Sequence, residues 1–167
     1  VALSKFNYRL TCSDMSADMI QCAAEKAQRA GVKIDFSAVN MLEFHSEKEF
    51  DAVLCLYDSV NYLPEESDVR KLLANTWTLM KPGALFIFDV CTEFNSLENF
   101  HQRYEYDPER RYKRRSYYVP DQRIQVNEIE MDVNGHTFHE RHCQIIYRLS
   151  DIQQEIKRSS FRTLNVF

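Results

Sequence analysis

The alternation of apolar strand-like segments with amphipathic segments in the first half of the chain constrains the fold more than any other feature. The strand-like runs are separated by segments whose apolar residues recur at helical spacing. Strand, helix and strand segments in this order form parallel strands joined by helical crossovers. The sequence therefore predicts an α/β fold with a mostly parallel sheet, whose strands lie at residues 8–13, 32–40, 51–57 and 84–90.

Local signals mark the ends of the predicted helices. Ser16 is a favourable N-cap residue, and Gly31 lies where the first helix is expected to end. Pro64 is placed at the start of the second helix, and Lys-Pro-Gly at 81–83 is expected to stop it. The run at 51–57 is almost continuously apolar, so we expect this strand to be buried on both faces.

The second half of the chain has a different pattern, which predicts an antiparallel insertion. Segments 123–133 and 136–149 have the character of two long strands. They are joined by Asn134-Gly135, a pair that is typical of two-residue hairpin turns. The second half is therefore predicted to contain an antiparallel hairpin.

The last segment is predicted to return to the parallel core. Ser150 and Gln153 have the spacing of a capping box for a helix at 151–159, and 162–167 is predicted to be a further strand. The resulting domain division is a core at 1–103, an antiparallel insertion at 104–149, and a final helix and strand of the core at 150–167.

Composition excludes several classes of function. The chain of 167 residues has a net charge of -4, which gives no bulk attraction for nucleic acid or an anionic membrane. Its longest apolar run, at 84–88, is too short to span a bilayer. We therefore expect a cytoplasmic protein of one domain that acts on a small molecule or binds a protein partner. Assembly into a homo-oligomer is left open.

The cysteines and histidines do not predict a metal site. The five cysteines are odd in number, form no C-x-x-C motif and lie mostly in apolar segments, so we interpret them as buried, reduced thiols. On a strand, His139 faces away from His136 and His142, and these two lie about 20 Å apart at the usual rise. The three histidines are interpreted as exposed residues of the hairpin.

Polar residues follow the ends of the predicted parallel strands, which emerge at one edge of a sheet. A carboxylate such as Asp14 can accept two hydrogen bonds from the cis-hydroxyls of a ribose. Polarisable methionine side chains can enclose an adenine ring, and an amide such as that of Asn40 can read its edge. The sequence therefore predicts a nucleoside pocket, with the candidate methionines Met15, Met19 and Met41.

Four motifs occur in the order expected for a known family. An acid, Asp14, precedes a Ser-capped helix (16–19), and the next strand ends in Asn40-Met41. Residues 55–64 read much like C-L-x-[ND]-S-x-x-[HY]-L-P, and 80–85 follow L-x-P-G-x-L with methionine in the first position. This order resembles the class I S-adenosylmethionine-dependent methyltransferases, and within them the glycine N-methyltransferase group and its small-molecule relatives. The resemblance implies a Rossmann-like fold.

The resemblance also implies roles for residues of this chain. Asp14 would hold the ribose of S-adenosylmethionine, and Asn40 with Met41 would hold its adenine. The residues along the methionine portion of the cofactor would be Leu56, Ser59 and Tyr62. Methyl transfer is an in-line displacement that depends mainly on alignment and exclusion of water, so a proton acceptor is optional. The candidates for positioning a small-molecule amine or hydroxyl acceptor are Tyr57, Asp58 and Asn61, and the hairpin at 123–149 is expected to cover it.

Three features depart from the family pattern. The glycine-rich turn after the first strand of the family is absent, as is its last strand. We therefore expect either a trimmed form of a longer protein or completion by a partner, and weak cofactor binding by this chain alone. Cys91 stands where glycine N-methyltransferases have an arginine that holds the substrate carboxylate, so the resemblance does not extend to glycine as the acceptor.

Other functions remain open at the level of the sequence. A non-catalytic binding or scaffold protein with the same fold is one alternative. The basic and tyrosine-rich run at 110–118 is a feature of RNA-binding surfaces, although acidic residues nearby and the negative net charge favour a solvated strand face. A dinucleotide oxidoreductase is a further alternative, because Asp14 would also suit the ribose of an adenosine. Segment 55–64 would have no role in such an enzyme.

Overall fold

A computed structural model describes all residues from Val1 to Phe167, and the chain divides into two units. The first unit comprises residues 1–49 and the second comprises residues 50–167. Both contain parallel strands, and the second also contains an antiparallel sheet of four strands. These features confirm the predicted α/β class, while the three-part domain division stays a prediction. None of the helices has the length and apolarity needed to cross a membrane.

The first unit is a strand, helix and strand unit. It contains β1 (Thr11–Asp14), α1 (Ala17–Arg29) and β2 (Asp35–Ala38). The strands pair in parallel, with Thr11 opposite Asp35 and Asp14 opposite Ala38. The first strand thus begins three residues later than predicted, whereas its position before the capped helix is confirmed.

The ends of α1 follow the predicted local signals. The Ser16 hydroxyl accepts a hydrogen bond from the Met19 amide at 3.3 Å, which satisfies an amide that has no partner within the helix. Beyond the C-cap Ala30, Gly31 has a φ of 66°, a left-handed conformation that glycine adopts without a steric penalty. Both predicted signals are therefore confirmed.

The second unit begins with another parallel pair. Strand β3 (Phe50–Cys55) pairs with β4 (Met80–Phe88), and α2 (Glu66–Thr78) lies between them in sequence. The prediction that the first of these strands is buried on both faces is wrong. Burial alternates over residues 52–55 and 83–88, so one face of this parallel pair is exposed. That face exposes Leu54, Leu85 and Ile87.

A short helix, α3 (Glu93–Asn99), leads into a four-stranded antiparallel sheet in chain order. The hairpin turn is confirmed, because Asn134 and Gly135 both have positive φ, at 54° and 81°, as a type I′ turn requires. The first strand of this sheet, at 103–107, was not predicted, because its polar and charged residues give no apolar alternation. The second strand largely coincides with the run at 110–118, which is interpreted as a solvated strand face. The strands are β5 (Arg103–Asp107), β6 (Tyr112–Val119), β7 (Ile124–Val133) and β8 (His136–Ile145).

The final helix differs from the prediction at its start. Helix α4 spans Leu149–Arg158 with Arg148 at the N-cap, so Ser150 lies inside the first turn and the capping box is wrong. The Ser150 hydroxyl instead donates to Asp151. The strand predicted at 162–167 is absent in the structure, since no neighbouring strand pairs with its backbone.

The core of the second unit forms where α2 packs against α4. The apolar side chains Val69, Leu72 and Leu73 of α2 and Ile152 of α4 are buried. Cys91 is also buried, but Cys22 and Cys143 are exposed, so the prediction that the cysteines belong to the core is wrong for these two. All five thiols are free.

One carboxylate, Glu155 of α4, is buried in this core and held by two arginines. Its side chain is only 3% exposed, and it accepts hydrogen bonds from Arg70 at 2.8 and 3.1 Å and from Arg158 at 2.8 Å. The hydrogen bond from Arg70 is the main cause that lowers the pKa of Glu155. The ionised form is therefore favoured in the folded protein.

Replacement of Glu155 by glutamine is expected to destabilise the protein by about 2 kcal/mol, because charge-assisted hydrogen bonds to a buried carboxylate are lost while the two exposed arginines regain water. Since the folded-state pKa is lowered, this stabilisation is present above the unfolded pKa of about 4.3 and is lost as the pH falls through the folded value. Urea unfolding of wild type and Glu155→Gln at several pH values tests this. The two curves should converge in acid, and the matched change at exposed Glu98 should have little effect.

Candidate functional site

The first unit presents an open carboxylate at the end of β1. Asp14 is exposed, and its Oδ1 accepts a hydrogen bond from the Ser16 amide at 2.8 Å. This bond holds the turn into α1 and orients the carboxylate. The second oxygen has no hydrogen-bond partner in the protein, so the group can still accept hydrogen bonds from a ligand.

A side-chain amide, that of Asn40, follows the end of β2. The parallel register places the end of β2 next to the end of β1, where Asp14 lies. Asp14 is opposite Ala38, and Asn40 follows two residues later. The Asn40 Oδ1 accepts from the Leu42 amide at 2.9 Å, which leaves the Nδ2 donors for a ligand. Met15 and Met19 are 77% and 59% exposed, so they are not core residues, while Met41 is half-buried.

In the second unit, β3 ends in a sharp turn with an unusual backbone. Tyr57 and Asp58 both have positive φ, at 63° and 54°. Two consecutive non-glycine residues in this region store strain of roughly 1–2 kcal/mol each, and such strain is concentrated at functional sites. The Ser59 hydroxyl donates to the Leu56 carbonyl at 2.7 Å and closes the turn. A 3₁₀ helix, Ser59–Tyr62, follows.

Two acidic side chains meet at this turn. Asp89, just beyond β4, accepts a hydrogen bond from the Asp58 amide at 3.3 Å through its Oδ2. Burial, and secondarily the charge of Asp89, raises the pKa of Asp58. Burial also raises the pKa of Cys55 to about 11, so this thiol stays protonated and is a poor nucleophile at neutral pH. The turn is therefore acidic and can attract a cationic group.

Asn61 is a structural residue in this turn, which corrects its predicted contact with the acceptor. Its side chain is 0% exposed. Its Nδ2 donates to the carbonyls of Cys91 at 3.0 Å and Ile145 at 2.7 Å, and its Oδ1 accepts from the Cys91 amide at 2.7 Å. All of its hydrogen-bonding groups are thus used by the fold, and it positions the 3₁₀ helix against the strand ends.

Tyr62, at the end of the same 3₁₀ helix, contacts the antiparallel sheet. Its hydroxyl lies 3.2 Å from Nδ1 of His142, and the two rings are perpendicular with centroids 6.1 Å apart. The Nε2 of His142 lies 3.2 Å from the Glu140 carboxylate. The prediction that His142 is a simple exposed hairpin residue is therefore wrong, since it is half-buried and bonded on both ring nitrogens.

No specific role in the site was predicted from the sequence for Asp89, Glu140 or His142. The strand-end position of Asp89 was a usable signal. The pairing of His142 with Tyr62 joins positions 80 residues apart and has no local signal. No group of three His, Cys, Asp or Glu side chains lies close enough to hold a metal ion.

The basic run that resembled an RNA-binding surface is largely paired with carboxylates. The pairs are Arg110 with Asp107, Arg111 with Asp132, Lys113 with Glu130 and Arg115 with Glu128. The first pair is local, between residues three positions apart, and the other three join residues 111–115 to β7. Together they leave little uncompensated positive charge. A solvated strand face explains the run better than an RNA site does.

Comparison with known proteins agrees with the fold and the motifs. Residues 1–83 match a family model described as a methyltransferase domain. A Geobacillus sp. (strain WCH70) protein that carries a methyltransferase name is 39% identical over 90 residues, which are 54% of this chain and 36% of that protein. The glycine/sarcosine N-methyltransferase of Halorhodospira halochloris is 30% identical over 94 residues, or 53% of this chain and 34% of that enzyme.

The structural comparison extends over nearly the whole chain. A crystal structure of a S-adenosylmethionine-dependent methyltransferase from Clostridium acetobutylicum superposes with a TM-score of 0.83 at 21% identity. The match covers 95% of this chain and 66% of that one. At this identity the likeness establishes the fold. The matches to these two named relatives span about a third of each relative's length.

Proposed function

The chain belongs to the class I S-adenosylmethionine-dependent methyltransferases, and from this premise we propose that the full-length protein methylates a nitrogen or oxygen of a small molecule. S-adenosylmethionine is the cofactor of this family, and when bound it supplies an electrophilic methyl group. The protein's own residues bind the cofactor, orient the acceptor and exclude water. Five free thiols are consistent with a cytoplasmic location.

The observation that carries this proposal is the oriented carboxylate of Asp14 at the end of β1. One oxygen is held by the turn and the other is open, which is the arrangement needed to accept hydrogen bonds from ribose hydroxyls. We assign Asn40 and Met41 to the adenine, with the exposed Met15 and Met19 along its ring. Polarisable, exposed methionines beside a free amide fit an adenine better than they fit a protein core.

The turn after β3 is assigned to the methionine portion of the cofactor and to the acceptor. Leu56, Ser59 and Tyr62 lie along the cofactor by the family resemblance, and Tyr57 and Asp58 position the acceptor. The Tyr57 side chain is almost fully exposed at the tip of the strained turn. Asn61 holds the 3₁₀ helix that carries Ser59 and Tyr62 in place through its buried hydrogen bonds.

An amine is the acceptor that the charges favour. The carboxyl groups of Asp58 and Asp89 meet at the turn and attract an ammonium group. Glycine itself is disfavoured, because Cys91 is buried and its thiol contacts Ser96 and Gln125, so this position offers no cation for a carboxylate.

Calorimetry of the full-length protein with S-adenosylhomocysteine tests the proposed function. We expect saturable binding with one site per chain, followed by methyl transfer to at least one small amine when S-adenosylmethionine is supplied. Absence of binding would contradict the proposal. Binding without turnover of any amine or hydroxyl compound would instead indicate a non-catalytic member of the family.

A further inference from the structure

We propose that Tyr62, His142 and Glu140 form a proton relay that removes the proton released when the acceptor is methylated. This inference rests on the proposed function and adds a role for the antiparallel sheet to it. Tyr62 lies at the end of the 3₁₀ helix, and His142 and Glu140 lie on β8. Two hydrogen bonds connect the three side chains. Tyr62 Oη lies 3.2 Å from His142 Nδ1, and His142 Nε2 lies 3.2 Å from the Glu140 carboxylate.

The chain of hydrogen bonds has one consistent direction. An ionised carboxylate can only accept, so Nε2 of His142 must carry the proton that Glu140 accepts. In the neutral imidazole, Nδ1 is then the acceptor and Tyr62 is the donor. The arrangement leaves the lone pairs of the Tyr62 hydroxyl free to receive a proton from an acceptor molecule. Glu140 thus sets the tautomer in which His142 can act as a base.

The sheet geometry places the two members from β8 on one face. Glu140 and His142 are separated by one residue, and alternate residues of a strand point to the same side. The side chains remain accessible, with Tyr62 47%, His142 39% and Glu140 52% exposed. Exposed pairs of this kind contribute only about 0–1 kcal/mol to stability, so stability alone does not explain the arrangement.

The charges around the relay fit its role. Burial, followed by the charge of Asp58, raises the pKa of Tyr62, so its hydroxyl is protonated at neutral pH and can donate to His142. Arg114 of β6 acts in the opposite sense and favours negative charge that develops on the phenol. Cys143 of β8 adds a small contribution that also raises the pKa of Tyr62. Arg114 is held in place by hydrogen bonds to Ser116 and Asn127.

The proposed transfer is balanced in protons and charge. The acceptor nitrogen or oxygen bonds to the methyl carbon as the sulfonium carbon–sulfur bond breaks, and the electron pair of that bond remains on sulfur. The acceptor proton passes to Tyr62 Oη while the Tyr62 proton passes to His142 Nδ1. The positive charge of the sulfonium is thereby replaced by an imidazolium that Glu140 stabilises, and solvent later takes the proton.

The hydrogen-bond chain can be tested first without an acceptor. We expect ¹⁵N NMR of the full-length protein with S-adenosylhomocysteine to show His142 protonated on Nε2 at neutral pH. Tyr62→Phe should shift the Nδ1 signal, and Glu140→Gln should mix the tautomers, whereas His136 and His139 should not change. Identical His142 spectra in all three proteins would overturn the relay.

The catalytic role is tested by the rate of S-adenosylhomocysteine formation with methylamine, ethanolamine, glucosamine and sarcosine. For an amine that turns over, Tyr62→Phe should lower kcat about 100-fold with little change in KM, as expected for loss of a general base. Glu140→Gln should lower kcat less and alter its pH profile. His136→Asn, on the same strand and exposed, should match wild type.

Unchanged kcat and pH profile in Tyr62→Phe would overturn the relay while leaving the proposed function intact. Absence of turnover with all four amines, together with absence of S-adenosylhomocysteine binding, would overturn the proposed function and the relay with it. Retained S-adenosylhomocysteine binding by the variants with reduced kcat separates a proton-transfer defect from misfolding.

Discussion

Replacing Asn61 with leucine is expected to destabilise the protein by about 4 kcal/mol. The substitution keeps the branched shape of the side chain but leaves the Cys91 amide and the carbonyls of Cys91 and Ile145 without partners in a buried site. Each unsatisfied buried group costs roughly 1–3 kcal/mol. Asn61→Asp should also lower the free energy of unfolding, because it replaces the Nδ2 donor with a carboxylate oxygen that faces two carbonyls.

The measurement is equilibrium urea unfolding of the full-length protein, followed by tryptophan fluorescence. Asn99→Leu is the matched control, because Asn99 is exposed and bonds only to Asn95 on the same helix. The free energy of unfolding of this control should fall by less than about 1 kcal/mol. A similarly small loss for Asn61→Leu would mean that its buried hydrogen bonds do not hold the 3₁₀ helix in place.

Replacing Asp14 with asparagine is expected to weaken binding of S-adenosylhomocysteine about 100-fold. Asparagine retains an oxygen that can accept from the Ser16 amide, so the turn into α1 is preserved. It lacks the charge that makes the two predicted hydrogen bonds to the ribose strong, and the loss corresponds to about 2.7 kcal/mol. The substitution therefore tests the ligand interaction with little effect on the fold.

Calorimetric titration of the full-length protein measures this effect, with Asp18→Asn as the control. Asp18 is an exposed acid in the first turn of α1 and makes no hydrogen bond to a residue of the strand ends. The control should bind as wild type does. Equal affinities for Asp14→Asn and wild type would remove Asp14 from the ribose site.

The parts of the fold that were predicted correctly depend on local signals. Ser16 and Gly31 set the ends of α1 through interactions within a few residues, and Asn134-Gly135 defines its turn through backbone conformation alone. The parallel pairing of β3 with β4 follows from the alternation of strand and helix segments. The family motifs also lie within short segments, which is why the family could be recognised from the sequence.

The parts that were missed depend on contacts between distant residues. In the sequence, Asn61 is a polar residue that follows a predicted strand. Its hydrogen-bond partners lie 30 and 84 positions away, and its side chain is completely buried. Strand β5 pairs with β6 through the backbone, and ion pairs such as that of Lys113 with Glu130 join β6 to β7. Their exposed charged residues give no apolar alternation, so periodicity does not reveal these strands. His142 lies on β8 as predicted, but only the fold brings it to Tyr62.

A crystal structure of the full-length protein with S-adenosylhomocysteine tests the central claim most directly. We predict that the ribose hydroxyls hydrogen-bond to the Asp14 carboxylate and that the adenine lies against Met41 with its edge at the Asn40 amide. An adenosyl group bound elsewhere, with Asp14 still facing solvent, would contradict the proposed cofactor site.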